Sequence, residues 1–151
     1  MFPEVEGKNL ESKSVKIPSD LEGDLNIIIV PFRRWHQNLV DSWTQYLDNV
    51  SKIFPRVKYY EVPSLSSGYK LMSFMIDGGM RAGIPSKEVR EHTITIYINK
   101  VKFKKALQIA NEKTIYLFLI NKKGEILWRE SGVYTDLKAK ELSSLLKEIF
   151  N

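Results

Sequence analysis

The chain has 151 residues, 43% hydrophobic and 27% charged, with a formal net charge of +5, the size and make-up of one globular domain that buries about 68–70% of its unfolded surface. It contains no cysteine, which excludes disulfides, thiolate nucleophiles and cysteine-held metals. The longest apolar run, residues 27–32, is far short of the roughly 18 residues that suggest a membrane span.

The first residues, Met1, Phe2, Pro3, Glu4, Val5 and Glu6, lack the basic-then-apolar order of a signal peptide, so a cytoplasmic protein is expected. Residues 4–23 read as a loose β-hairpin or extended leading segment. Gly7 and Gly23 punctuate it, and Val15, Lys16 and Ile17 alternate as a short strand does. Residues 26–32 are the first core strand. Ile27, Ile28, Ile29 and Val30 are continuous and β-branched, the pattern of a strand covered on both faces. Over residues 37–54, Leu39, Val40, Trp43, Tyr46, Leu47, Val50 and Ile53 form one apolar stripe. They predict a helix that Pro55 stops.

Residues 57–62 form the second strand, closed by Pro63. Residues 67–83 carry Leu71, Met72, Met75 and Ile76 at helical spacing, although Gly78 and Gly79 each weaken such a helix by about 1 kcal/mol. Residues 93–98 alternate as a third strand. Residues 102–110 predict a short helix with Phe103, Ala106, Leu107 and Ala110 inward. Residues 114–121 are the fourth strand, and Lys122, Lys123 and Gly124 turn the chain into residues 125–130, its antiparallel partner. The last helix covers residues 136–150, with Leu142, Leu145, Leu146 and Ile149 as its buried row and Thr135 or Asp136 as its cap.

Strands alternating with helices, then a hairpin and one helix, predict a single α/β domain over residues 1–151. Its mixed sheet is flanked by helices and finished by a C-terminal β-hairpin and helix. This plan resembles the thioredoxin-like superfamily, with an extra strand and helix before the hairpin as in peroxiredoxin-like relatives. There the active site follows the first core strand as Trp-Cys-Gly-Pro-Cys. Here the strand runs into Arg33, Arg34, Trp35, His36, Gln37, Asn38 and Leu39. Trp35 takes the place of the motif's Trp, and His36 and Leu39 fall on the two Cys positions. The superfamily's cis-proline before the hairpin is replaced by the run Asn111, Glu112, Lys113, Thr114. The resemblance therefore implies a cysteine-less, non-redox relative without thiol–disulfide oxidoreductase or peroxidase activity.

A second likeness covers Arg81, Ala82, Gly83, Ile84 and Pro85, the strand of residues 114–120, and the run Gly124, Glu125, Ile126, Leu127, Trp128, Arg129, Glu130, Ser131, Gly132. These resemble the mitochondrial ATP synthase assembly factor family. Its members are thioredoxin-like, mostly lack active cysteines and carry a Gly-x-Ile-x-Trp-x-x-Ser-Gly ending. The resemblance implies assistance to another protein's assembly, and so a protein partner.

Among candidate sites, His36 would open a helix at the sheet edge where open α/β sheets bind ligands. An acid–base role requires a partner to hold its tautomer and a pocket for substrate; the plainer reading is a surface residue at a helix start. Arg33 and Arg34, with free amides at that helix start, would suit a phosphate or carboxylate. Trp35 is either a partner-contact anchor or a lid on the core. Arg33, Arg34, Trp35 and His36, with Trp128 and Arg129 of the hairpin, make up the expected protein-binding patch. The alternative is a small-anion binder or thiol-independent enzyme using His36 with Arg33 and Arg34.

Other features favour plain roles. Met72, Met75 and Met80 with Phe74 read as core at helical spacing, ahead of an adaptable groove. The glycine-rich run of residues 77–83 lacks the Lys-Ser/Thr of a P-loop. Lys100, Lys102, Lys104 and Lys105 read as a solvated helix face, since no aromatic stacking pattern accompanies them, and nucleic acid is disfavoured as a partner. Only His36 and His92 offer imidazoles, and no hydrolase or metal motif occurs. No cofactor or metal is expected, and a binding role is favoured over an enzymatic one.

Overall fold

The computed structural model describes residues 1–68 and 87–151. In chain order the elements are β1 (Val5–Asn9), β2 (Ser14–Ile17), β3 (Leu25–Val30), a 3-10 turn (Arg34–His36), α1 (Gln37–Ile53), β4 (Val57–Glu61), β5 (Ser64–Ser66), α2 (Lys87–Glu91), β6 (Ile94–Ile98), α3 (Lys100–Ala106), β7 (Tyr116–Asn121), β8 (Ile126–Ser131) and α4 (Asp136–Ile149). From residue 69 onward the expected helix of residues 67–83, with Met72, Phe74, Met75 and Met80, lies outside the described residues, as does the run from Arg81 to Pro85.

Every residue of β3 is buried. It pairs in parallel with β4, Ile27 opposite Tyr59, and antiparallel with β7, Ile27 opposite Leu119. Strand β7 carries β8 as an antiparallel edge, giving the order β4-β3-β7-β8. The leading segment is a true hairpin, β1 against β2. It joins β6 and β5 in a second four-stranded sheet of order β2-β1-β6-β5. The two sheets meet where Glu61 bridges Thr93. Pro63 has no amide to give to a ladder, so β4 stops before it and β5 resumes after it. Its carbonyl still accepts from Ile96 at 3.0 Å.

Strand alternation divides the core in two. Leu25, Ile27 and Ile29 pack with Trp43, Leu47 and Val50 of α1 and Leu142 and Leu146 of α4. Ile28 and Val30 point the other way, to Phe2, Ile17, Ile94, Ile96, Phe103 and Phe118. Each such apolar side chain contributes roughly 1.5–3 kcal/mol on burial. The polar intruder in β3, Asn26, is satisfied locally. Its Oδ1 accepts from the Gly23 amide at 2.9 Å and its Nδ2 donates to the Gly23 carbonyl at 3.0 Å. Helices α1 and α4 are tied together by Tyr46, whose hydroxyl donates to the Ala139 carbonyl at 2.8 Å.

Most expected elements are present within a residue or two, and the differences have local causes. The third helix starts earlier because Asn99 caps it, its Oδ1 accepting from Lys102 at 3.1 Å. It ends earlier because Gln108 takes a left-handed φ of 56°. Phe103 and Leu107 are therefore buried as expected, while Ala106 and Ala110 are exposed. In α4, Thr135 is the cap, Leu142 and Leu146 are buried, Leu145 is half-buried and Ile149 is 41% exposed. Ala139 takes up the row's other buried position.

Gly7 holds the leading hairpin against β6. A Cβ there would lie 2.3 Å from the Thr95 carbonyl oxygen and 2.9 Å from Ile96 Cγ2, so only a residue without a side chain permits the approach. Gly7→Val is expected to cost about 1–3 kcal/mol by overpacking. Urea denaturation measures this, and an unchanged midpoint would count against the close packing described.

Candidate functional site

After β3 the chain leaves the sheet through Pro31 and Phe32, makes the Arg34–His36 turn and enters α1. Such a corner leaves backbone amides without ladder or helix partners. His36 supplies the acceptor. Its Nδ1 receives the Phe32 amide at 3.0 Å and the Arg33 amide at 3.2 Å. The imidazole is 0% exposed. With Nδ1 accepting, the proton of the neutral ring sits on Nε2. That atom is buried and finds no hydrogen-bond partner among the described residues.

His36 is thus neither a surface residue nor an accessible acid–base group. One nitrogen is committed to the turn and the other is shut away from solvent. Burial lowers its pKa below 6.5; the Glu112 main chain acts the other way, and the positive charge of Arg33 lowers it further. Hollows of about 470 and 300 Å³ are lined by α4 residues such as Leu137 and Leu145, and by Tyr116, Arg129, Glu130 and Ser131. Neither includes His36.

The other expected site residues separate by depth and face. Trp35 is 56% exposed, its ring edge-on to His36 with centroids 4.4 Å apart. It is therefore not a lid on the core. Arg33 and Arg34 are exposed beside it. On β8, Trp128 and Arg129 point to opposite faces, as adjacent strand residues must. Half-buried Trp128 meets Trp43 edge-on at 6.4 Å. Arg129 lies with its guanidinium 5.3 Å from the Phe118 ring centre and donates to the Leu107 carbonyl. The register sets Val30 beside Tyr116 and Tyr116 beside Ser131. The end of β8 thus shares a sheet edge with the Arg34–His36 turn, while Trp128 and Arg129 lie further down the strand.

A residue passed over in the sequence organises this edge. Glu112, in the loop before β7, binds three cations through one carboxylate: Lys104 at 2.8 Å, Lys100 at 3.0 Å and Arg33 at 3.3 Å. Burial works against its charge, yet the bonds from Lys104 and Lys100 hold its pKa below the usual carboxylate range. Lys100 also sits 5.7 Å from the Phe32 ring centre. A signal was available, because Lys100 and Lys104 are spaced to share one helix face. The expected solvated lysine face holds for Lys102 and Lys105, which are exposed, and not for this pair.

The model of the family described as "ATP10 protein" matches residues 1–149. The chain belongs to the ATP10 protein family. These are ATP synthase assembly factors, and the family accounts for the Trp128-to-Gly132 likeness. No curated protein matches the chain. Among solved structures, this ATP10 chain is similar to yeast Sco1, with 9% identity, 98% of each chain covered and a TM-score of 0.63. It is similar to BsSco, a member of the Sco family of cytochrome c oxidase assembly proteins, with 13% identity, 95% of this chain and 91% of that one covered, and a TM-score of 0.63. The exposed lipoprotein thioredoxin Etrx1 of Streptococcus pneumoniae matches at 14% identity over 97% and 99% of the two chains, with a TM-score of 0.62. At such identities the likeness establishes the fold, which is thioredoxin-like.

Removing the imidazole tests the structural role of His36. His36→Leu leaves the amides of Phe32 and Arg33 without their acceptor, at an expected cost of about 1–3 kcal/mol for each. The cost depends on pH. Below the ordinary value of 6.5 the unfolded chain takes up a proton that the folded chain refuses. Stability linked to His36 is therefore complete above that value and lost as pH falls toward the depressed folded value. Glu61 adds an opposite trend: burial pushes its carboxyl up to about 7, against the hydrogen bond from Gln37 and helped by the charge of Asp41. It is present in both proteins and cancels in their difference. Urea denaturation at pH 8 and pH 5 is expected to show a stability gap between wild type and His36→Leu that narrows at pH 5. A gap independent of pH would contradict the neutral, buried imidazole.

Proposed function

We propose that this ATP10-family chain works without redox chemistry, by binding an ATP synthase subunit whose assembly it assists. The observation that carries this reading is Trp35, a large aromatic 56% exposed on a turn held in place by a buried histidine. Exposing an indole to water has no benefit for the isolated fold, and Trp and Arg are enriched among residues that dominate binding energy. The rigid turn lowers the entropy lost on docking. Arg33 and Arg34 accompany the indole, and the sheet edge extends the surface toward the end of β8, whereas Trp128 and Arg129, on opposite faces further down that strand, fall outside the proposed patch. His36 contributes by holding the turn. A cytoplasmic location belongs to the same proposal and is checked by fractionation together with the partner.

The test is capture of purified ATP synthase subunits by the tagged chain and by the double variant Arg34→Ala with Trp35→Ala. Both side chains are exposed, so the melting temperature is expected to stay within about 2 °C. Affinity is expected to fall by about thirtyfold, the equivalent of a hot spot of about 2 kcal/mol. Unchanged capture by the folded double variant would remove this patch from the function.

A further inference from the structure

We infer that Arg33, Lys100 and Lys104 form a carboxylate cradle that recognises an acidic segment of the protein partner, with Glu112 as the chain's own occupant. This rests on the partner-binding reading above and gives that partner a chemistry. The cradle joins two separate elements. Arg33 comes from the corner after β3, and Lys100 and Lys104 lie one turn apart on α3. Their three positive charges face a single carboxylate, so two remain unbalanced. The lysine side chains are only 17% and 25% exposed, and Glu112 is 13% exposed. They are recessed, where desolvation strengthens charge-assisted bonds. Lysine and arginine together offer more N–H donors than one carboxylate can accept.

The buried ring of His36 lies behind the cradle, with Arg33, Glu112 and Lys100 as its charged surroundings. The edge beside the cradle continues the pattern. Arg34 makes no ion pair with a described residue, Lys102 is exposed, and Trp35 and Val101 stand out of the surface at 56% and 74% exposure. An extended peptide with carboxylates interspersed with apolar side chains matches both features. A flat anionic membrane matches them less well, because the recessed ammonium groups face Glu112 from within the surface.

The mechanism is competition. Glu112 bridges the three cations and keeps the 111–114 loop docked while the cradle is empty of partner. An incoming carboxylate shares or replaces it, and the excess positive charge favours the exchange. Removing the internal competitor tightens external binding, whereas removing a cradle cation weakens it.

The experiment uses the full chain and a tetraglutamate peptide, titrated by calorimetry at low salt and again at high salt. Wild type is expected to bind the peptide more tightly than free glutamate at equal carboxylate concentration, and to lose affinity as salt rises. Glu112→Gln is expected to bind about tenfold tighter and Lys104→Gln about tenfold weaker. Lys113→Gln, with the same charge change on an exposed neighbour, is expected to stay within about twofold of wild type. The Lys104→Gln and Lys113→Gln pair decides the matter even where Glu112→Gln fails to fold. Three results would each overturn the cradle: equal effects of the two lysine variants, no tightening in a folded Glu112→Gln, or binding to vesicles of phosphatidylserine in place of the peptide. Partner capture that is equal in wild type and Lys104→Gln, with no peptide bound, would sink the cradle and leave the partner-binding reading standing. Failure to capture any subunit would sink that reading while the peptide titration still judges the cradle.

Discussion

Strand β3 is shielded from water on both faces and hydrogen-bonded on both edges, by β4 in parallel and β7 in antiparallel fashion. Such a strand has no freedom to shift, because a slip of one residue would exchange every side chain between the two cores. Its exit is therefore fixed in space. The chain must leave past Pro31 and Phe32, reverse, and set α1 so that Val40, Trp43, Leu47 and Val50 meet Ile27 and Ile29. The corner between them is short, and its amides cannot reach sheet or helix partners. The Nδ1 atom of His36 resolves that shortage, which explains why an imidazole lies wholly inside the protein.

This use of His36 redirects the reading of the edge. In thioredoxin-like proteins with thiol chemistry, the residue after the Trp is a cysteine. Here it is a hydrogen-bond acceptor that builds the backbone. A buried neutral ring fits such a role, since charging it would cost both desolvation and its two accepted bonds. The chemistry-bearing groups are displaced outward, to the exposed indole of Trp35 and to the cations around Glu112. The result is an edge suited to recognition, in which rigidity comes from below and polarity lies at the surface.

Electrostatics then ties loops that the sheet leaves separate. Arg33 belongs to the first corner, Lys100 and Lys104 to α3, and Glu112 to the loop before β7. A single exposed pair among them would contribute at most about 1 kcal/mol. The recessed lysines and Glu112 gain by sharing one acceptor among several donors and by partial exclusion of water, while Arg33 joins them from the exposed side. Trp43 adds a neutral tie at the same edge, its Nε1 donating to the Gly132 carbonyl at 3.0 Å and holding the turn after β8 to α1.

The residue pattern alone determined the alternation of elements, the continuous β-branched run that must be buried on both faces, the stripe of α1, the terminal hairpin and its capped helix, and the absence of any thiol. These are consequences of local period and composition, which act over a few neighbouring residues. It also pointed to the corner holding Arg33, Arg34, Trp35 and His36. Which of these four faces water was decided only in the folded chain, because exposure depends on what other elements bring alongside. His36 looked like a helix-start residue until the amides of Phe32 and Arg33 were seen to converge on it. Trp128 and Arg129 looked like one patch until β8 paired and alternation put them on opposite faces. Glu112 carried no local signal by itself, since its partners lie 8, 12 and 79 positions away in the chain. Interactions across such separations are set by topology, and only the three-dimensional arrangement places those charges within reach of one another.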